Sequence, residues 1–237
     1  MAHGRVYPHD PIESVAEDLF MVRGSIRMNP LVRITRNMAI IRHRGELTLV
    51  NPIRLDAAGD RQLRDLGTVK RMIRLGSLHG VDDPYYADVF RAGLWSQAGG
   101  TTYRVPAIDR ELTESTELPF PDAQLFCFRG TLQPEAALLL KKSGGILLTC
   151  DALQHYGDYR HNNLLARLAM PFIGFPKTTV IGPIWLKMMT PEGGSLKGEF
   201  ERLLAWQFDG LLSAHGSYLR TGAHSAVAAA LSRSFPQ

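Results

Sequence analysis

Histidine and aspartate stand together at the end of one apolar run: Gly76-Ser77-Leu78-His79-Gly80-Val81-Asp82-Asp83 follows Val69 to Leu75 and precedes a helix-like segment opening at Pro84. An imidazole and two carboxylates delivered to a sheet edge can converge on a metal ion or on a substrate. Two later stretches have the same form. Ile146-Leu147-Leu148-Thr149-Cys150-Asp151 is a buried-type strand ending in a carboxylate, and Gly210-Leu211-Leu212-Ser213-Ala214-His215-Gly216 is a strand-like run ending in an imidazole. Three strand ends carrying His and Asp point to one site assembled from distant sequence.

Each of these residues has a structural reading beside the chemical one. His79 caps a turn or serves the site. Asp82 or Asp83 is the N-cap of the helix that begins at Pro84, or a ligand. Asp151, at the end of an apolar strand, is costly without a partner, so it is a hydrogen-bonded structural aspartate or a site residue. His215 before Gly216 is a ligand or a satisfied histidine under a loop. His155 and His161 follow Asp151 and read as surface loop residues, with a replacement imidazole as the other role.

The elements that must position these groups are legible as runs and punctuation. Residues 1–18, polar with Pro8 and Pro11, form an irregular lead-in, and residues 19–237 form one domain. Leu19 to Ser25 is a first strand. Met38 to Arg42 and Leu47 to Val50 make a hairpin around Gly45, and Asp56 caps a helix reaching Leu66. Val69 to Leu75 is the strand that delivers His79. Leu94 to Ser96 and Thr102 to Val105 are short strands, Asp109 to Asp122 is an exposed connection, and Ala123 to Phe128 is another strand. A hairpin-rich second half then runs through the Ser143-Gly144-Gly145 turn to Asp151. A loop and helix region reaches Thr190, followed by a helix over Glu199 to Phe208, a strand at Leu211 to Ser213 and a closing helix over Ala223 to Leu231. Strands interleaved with helices in this order make mixed layers, with helices outside sheets.

Composition narrows the class. With 237 residues, 45% hydrophobic and 21% charged, the chain buries a substantial core in an ordinary globular protein. The formal charge of +4 and pI near 9.2 are mildly basic, but Arg42-His43-Arg44, Lys70-Arg71 and Lys141-Lys142 are scattered, without interleaved aromatics. That reads as a solvated surface and argues against nucleic acid as partner. Cys127 and Cys150 lack metal or disulfide spacing and read as buried free thiols of a reducing cytoplasm. No leader-like apolar segment and no run of eighteen apolar residues is present, which argues against secretion and membrane spanning.

Together, a strand followed by His-Gly-x-x-Asp, a strand ending in Thr-x-Asp and a strand ending in Ala-His-Gly before a terminal helix resemble the metallo-β-lactamase-fold hydrolases, over roughly residues 19–231. The resemblance implies an αββα sandwich: two mixed β-sheets face to face, helices on both outer faces, and a metal site at one edge. Laid on the family's His-x-His-x-Asp-His signature, His79 and Asp83 match, while Val81 and Pro84 stand where histidines belong. The family's middle histidine falls near Arg129-Gly130-Thr131, where there is none; Arg129 there could pair with a vacated aspartate. Asp151 matches the bridging aspartate and His215 the final histidine. The implied ligand set is therefore His79, Asp82, Asp83, Asp151 and His215, enough for one divalent ion (Zn, Mn or Fe). It implies a mononuclear hydrolase of a small ester, thioester, lactone or phosphoester, with Asp83 or Asp151 as the catalytic group orienting water. The alternative is a catalytically degenerate scaffold that binds a ligand or partner without metal.

Overall fold

The computed structural model describes residues 3–236. Met1, Ala2 and Gln237, at the ends of the expected lead-in and domain, lie outside the described residues. The first half of the chain forms a seven-stranded sheet in sequential order: β1 (Glu13–Ala16), β2 (Leu19–Arg27), β3 (Arg33–His43), β4 (Glu46–Val50), β5 (Thr68–Arg74), β6 (Gly93–Ser96) and β7 (Arg110–Glu111). Strands β1 to β4 run antiparallel to their neighbours and β4 to β7 parallel. The second half contributes β8 (Ala123–Cys127), β9 (Ala136–Leu140), β10 (Ile146–Thr149) and β13 (Gly210–Ser213) in the order β13-β10-β9-β8. A small pair, β11 (Leu153–His155) with β12 (Thr179–Ile181), extends this half.

Strand periodicity explains why the two sheets stack. In β3, Ala39 and Ile41 face the second sheet, while Met38 and Ile40 face outward under helices. In β9, Ala136, Leu138 and Leu140 face the first sheet and Ala137 and Leu139 the opposite side. Both faces are covered, so these strands read as unbroken apolar runs. Outside the first sheet lie α1 (Ala57–Leu66), whose Asp56 cap accepts the Gly59 N–H at 2.8 Å, and α2 (Asp83–Val89), which brings Tyr85 and Tyr86 into the outer core. Outside the second sheet lie α4 (Pro183–Met189), α5 (Lys197–Leu204) and α6 (Ala223–Ser234), the last through Ala223, Val227, Ala230 and Leu231. The short α3 (Leu164–Ala169) sits apart from this packing. The αββα sandwich expected from the sequence is the fold observed.

Several local expectations need correction. The lead-in is not irregular throughout, because Glu13–Ala16 pairs with β2. Thr102 to Val105 forms no strand, being set between Gly99-Gly100 and Pro106 without a pairing edge. The connection from Asp109 to Asp122 is anchored, since Leu112 and Phe120 are buried between the sheets. Cys127 is only part-buried, though both cysteines are free. No helix among the described residues is long and apolar enough to cross a membrane.

Leu138 lies at the centre of the inter-sheet core, fully buried. Leu138→Ala should lower the free energy of unfolding by about 2–5 kcal/mol through lost burial and a residual cavity. Denaturant titration with an unchanged slope and a lower midpoint is the expected reading.

Candidate metal centre

Register places the central pair of side chains. β10 and β13 are parallel neighbours in which Thr149 stands opposite Ser213, so Asp151 and His215 each emerge two residues beyond paired positions. Two hydrogen bonds shape the exits: Thr149 Oγ1 donates to the Leu153 carbonyl at 2.8 Å, and Ser213 Oγ to the His215 carbonyl at 2.6 Å. Gly216 follows at φ 80°, bridged to His155, and a Cβ there would collide with the His155 carbonyl oxygen. The third side chain arrives from the other sheet. Beyond β5, the Ala136 N–H bonds the Leu75 carbonyl at 2.7 Å and Gly76 bridges Glu135, which stitches the sheets together where the loop to His79 begins. A side chain at Gly76 would strike Cys150 Sγ and Glu135, so glycine is required for this approach.

Two asparagines that sequence reading missed hold the same edge. Asn37 Nδ2 donates to the carbonyls of Ser213 (2.8 Å) and Gly216 (3.1 Å), while Asn51 Nδ2 donates to Thr149 O at 3.1 Å and its Oδ1 accepts the Leu75 N–H at 3.1 Å. Both are buried polar residues in apolar strand contexts, and that oddity was the available signal.

The result is a compact cluster. His79 Nε2 lies 3.1 Å from His215 Nε2 and 3.4 Å from Asp151 Oδ2, and His215 Nε2 lies 3.1 Å from Asp151 Oδ1. His215 Nδ1 must donate to the Thr35 carbonyl, 2.7 Å away, because a carbonyl only accepts. In the neutral ring the Nε2 lone pair then faces the carboxylate. Burial pushes the His79 imidazole down to about 4, keeping it neutral near pH 7. Burial raises Asp151, but the two imidazoles outweigh it and hold the carboxyl well below the usual carboxylate range. A cation at the centre of these three side chains, or a shared proton on His79 Nε2, satisfies the ionised carboxylate and both rings. His79 Nδ1 is buried without a partner among the described residues. Ligand atoms about 2.0–2.1 Å from a tetrahedral ion stand roughly 3.3 Å apart, so the donor set fits one small divalent ion.

The other expected ligands are elsewhere. Asp82 Oδ2 accepts from Arg36 Nη1 at 2.8 Å, and Asp83 Oδ2 from Arg74 Nη1 at 3.2 Å, both buried. Asp82 holds the cap position of α2 without a side-chain capping bond. Asp83, where the resemblance places a ligand and a catalytic group, is therefore committed to a guanidinium. Arg129 does not enter the site; it pairs with Glu114 at 2.7 Å on the surface. His155 bonds Thr179 and His161 faces Asp10, so neither joins the cluster. Glu135 was not singled out, yet it is fully buried beside Asp151, accepting from the Ala152 N–H at 2.5 Å and Trp185 Nε1 at 2.6 Å. Burial and then the Asp151 charge push its carboxyl well above the usual range.

No protein-family model and no curated protein matches the sequence. Solved structures do match. The metallo-β-lactamase DIM-1, exposed to ceftazidime, superposes with a TM-score of 0.66 at 12% identity over 98% of this chain and 100% of its own. The metallo-β-lactamase FIM-1 from Pseudomonas aeruginosa, in its mono-zinc form, gives 0.66 at 10% identity over 98% and 99%. A metallo-β-lactamase from Erythrobacter litoralis gives 0.60 at 11% identity over 93% and 89%. The chain is a divergent member of the metallo-β-lactamase fold. Its Asp83 carboxylate is turned to Arg74.

Burial lifts Asp83 from its ordinary 3.8 to about 6, against the pull of Arg74 and then Arg36. The folded state therefore holds the Asp83 proton more tightly than the unfolded one, and this contribution to stability is present below about pH 4 and lost as pH rises through about 6. Relative to Asp83→Asn, the parent protein should lose about 2 kcal/mol between pH 4 and pH 7. The ion pair with Arg74, made only by ionised Asp83, is already counted in that shift. Parallel denaturation curves of the two proteins across that range provide the check.

Proposed function

We propose that the chain is a mononuclear metal-dependent hydrolase of a small ester, thioester or lactone, with His79, Asp151 and His215 as the metal ligands. The observation that carries this reading is the meeting of two imidazole Nε2 atoms and a carboxylate within 3.1–3.4 Å at the edge of the sandwich. A divalent ion bound there supplies a Lewis acid and an acidified water. Zinc, manganese or iron suits two imidazoles and one carboxylate. That FIM-1, on the same fold, has a mono-zinc form supports a site that works with one ion.

The chain's own groups have distinct tasks. Asp151, ionised and held between two imidazoles, is a ligand that also orients the attacking water. Asp83 is excluded from that role by Arg74. Gln154 Nε2 bonds the Asp151 backbone carbonyl at 3.0 Å, and Tyr156 Oη donates to Gln154 Oε1 at 2.6 Å, so Asp151 is braced from behind. Hydrolysis adds hydroxyl to the acyl carbon and returns the proton to the departing alkoxide or thiolate as the acyl–O or acyl–S bond breaks. Acyl chemistry is favoured over phosphoester chemistry because Arg36, the guanidinium lining the cavity over the cluster, is already engaged by Asp82. The scaffold reading also has an observation behind it: a proton on His79 Nε2 satisfies the cluster without an ion.

Protein purified without a histidine tag and dialysed against zinc, manganese or iron should hold at most one ion per chain. Asp151→Ala or His215→Ala should abolish that binding and reduce ester or thioester hydrolysis at least about 100-fold. No bound ion under any of these conditions would leave the scaffold reading in place of this one.

A further inference from the structure

The cluster forms part of the wall of a cavity of about 500 Å³. That lies within the range of roughly 300–1,000 Å³ typical of small-molecule sites. Its polarity is uneven. Five of the twenty lining residues have charged, imidazole or amide side chains: Arg36, His79, Asp151, Gln154 and His215. These five are grouped together: Gln154 and both histidines contact Asp151, and Arg36 adjoins Thr35, whose carbonyl receives His215. The remaining wall is aliphatic, aromatic or glycine, including Ile26, Ile34, Met170, Phe175, Ile184 and Met188.

The apolar character continues outside. Among the exposed large hydrophobic residues, Met28, Val81, Ile173, Ile184 and Met188 line this same cavity. Leu31, Leu168 and the 90% exposed Phe172 lie in the chain segments that supply them. Isolated apolar side chains on a surface need no account, but apolar side chains gathered at the entrance of an apolar cavity mark a ligand route.

We propose that the cavity takes an acyl group with a long unbranched or otherwise extended hydrocarbon chain, its ester or thioester head at the His79, Asp151 and His215 cluster and its chain along Ile26, Phe175, Ile184 and Met188. One polar end and one long apolar wall match an amphiphile with a single polar head, whereas a sugar, a nucleotide or a peptide would leave polar groups unpaired against that wall. This rests on the hydrolase reading for the fate of the head, but not for the seat of the chain.

The test separates the two. Methyl butanoate, hexanoate, octanoate and decanoate are titrated into chelator-treated protein, with tryptophan fluorescence as readout because Trp185 lines the cavity. Affinity should rise about threefold to fourfold per added methylene. Ile184→Asp and Met188→Asp should flatten that rise; these positions are 53% and 49% exposed, so the charge does not disturb the core. Affinity independent of chain length, or a rise untouched by both variants, would overturn the inference. Chain-length-dependent binding without hydrolysis in metal-loaded protein upholds it while removing the hydrolase reading. Hydrolysis of methyl acetate with no gain for longer chains does the reverse.

Discussion

A carboxylate withdrawn from water needs a positive charge or several hydrogen-bond donors around it, and four carboxyl groups are withdrawn at one edge of this sandwich. Each is satisfied differently. Asp82 faces Arg36 and Asp83 faces Arg74, while Glu135 accepts two N–H groups and is pushed toward its neutral form. Asp151 is left facing two imidazoles. A buried carboxylate with an arginine is already neutralised, whereas Asp151 and its two imidazoles form a group of donors that could hold a metal ion. This allocation divides the edge into a half closed by ion pairs and a half able to hold one ion beside an apolar cavity.

The fold makes the allocation rigid. Asp151 and His215 leave neighbouring parallel strands in matching register, so their separation is set by the ladder and not by loop conformation. His79 comes from the opposite sheet, and its approach depends on the Leu75 and Gly76 contacts to Glu135 and Ala136 and on Asn51, which bonds both sheets. Donor atoms carried by strand ends and braced by buried amides keep their spacing, which a metal centre requires.

Much of this was legible in the sequence because strand ends are marked by abrupt changes of residue type. The apolar runs before His79, Asp151 and His215 carried both the sandwich and the meeting of those three residues. The partners of Asp82 and Asp83, Arg36 and Arg74, lie inside strands, and nothing in a one-dimensional pattern reveals that a guanidinium on a strand points at a helix start across the edge. Arg129 occupies the expected zone yet points to Glu114 on the surface. The segment from Leu153 to Thr190 was opaque because its strands and helices are three to seven residues long, too short for a periodic signal.

The allocation of charges is tested most directly by anomalous diffraction from crystals grown with zinc, recorded on both sides of the metal absorption edge. A single anomalous peak should lie within coordination distance of His79, Asp151 and His215, with Arg74 still paired to Asp83 and Arg36 to Asp82. A second peak at Asp83 with Arg74 displaced, or no peak between the two histidines, would contradict the account.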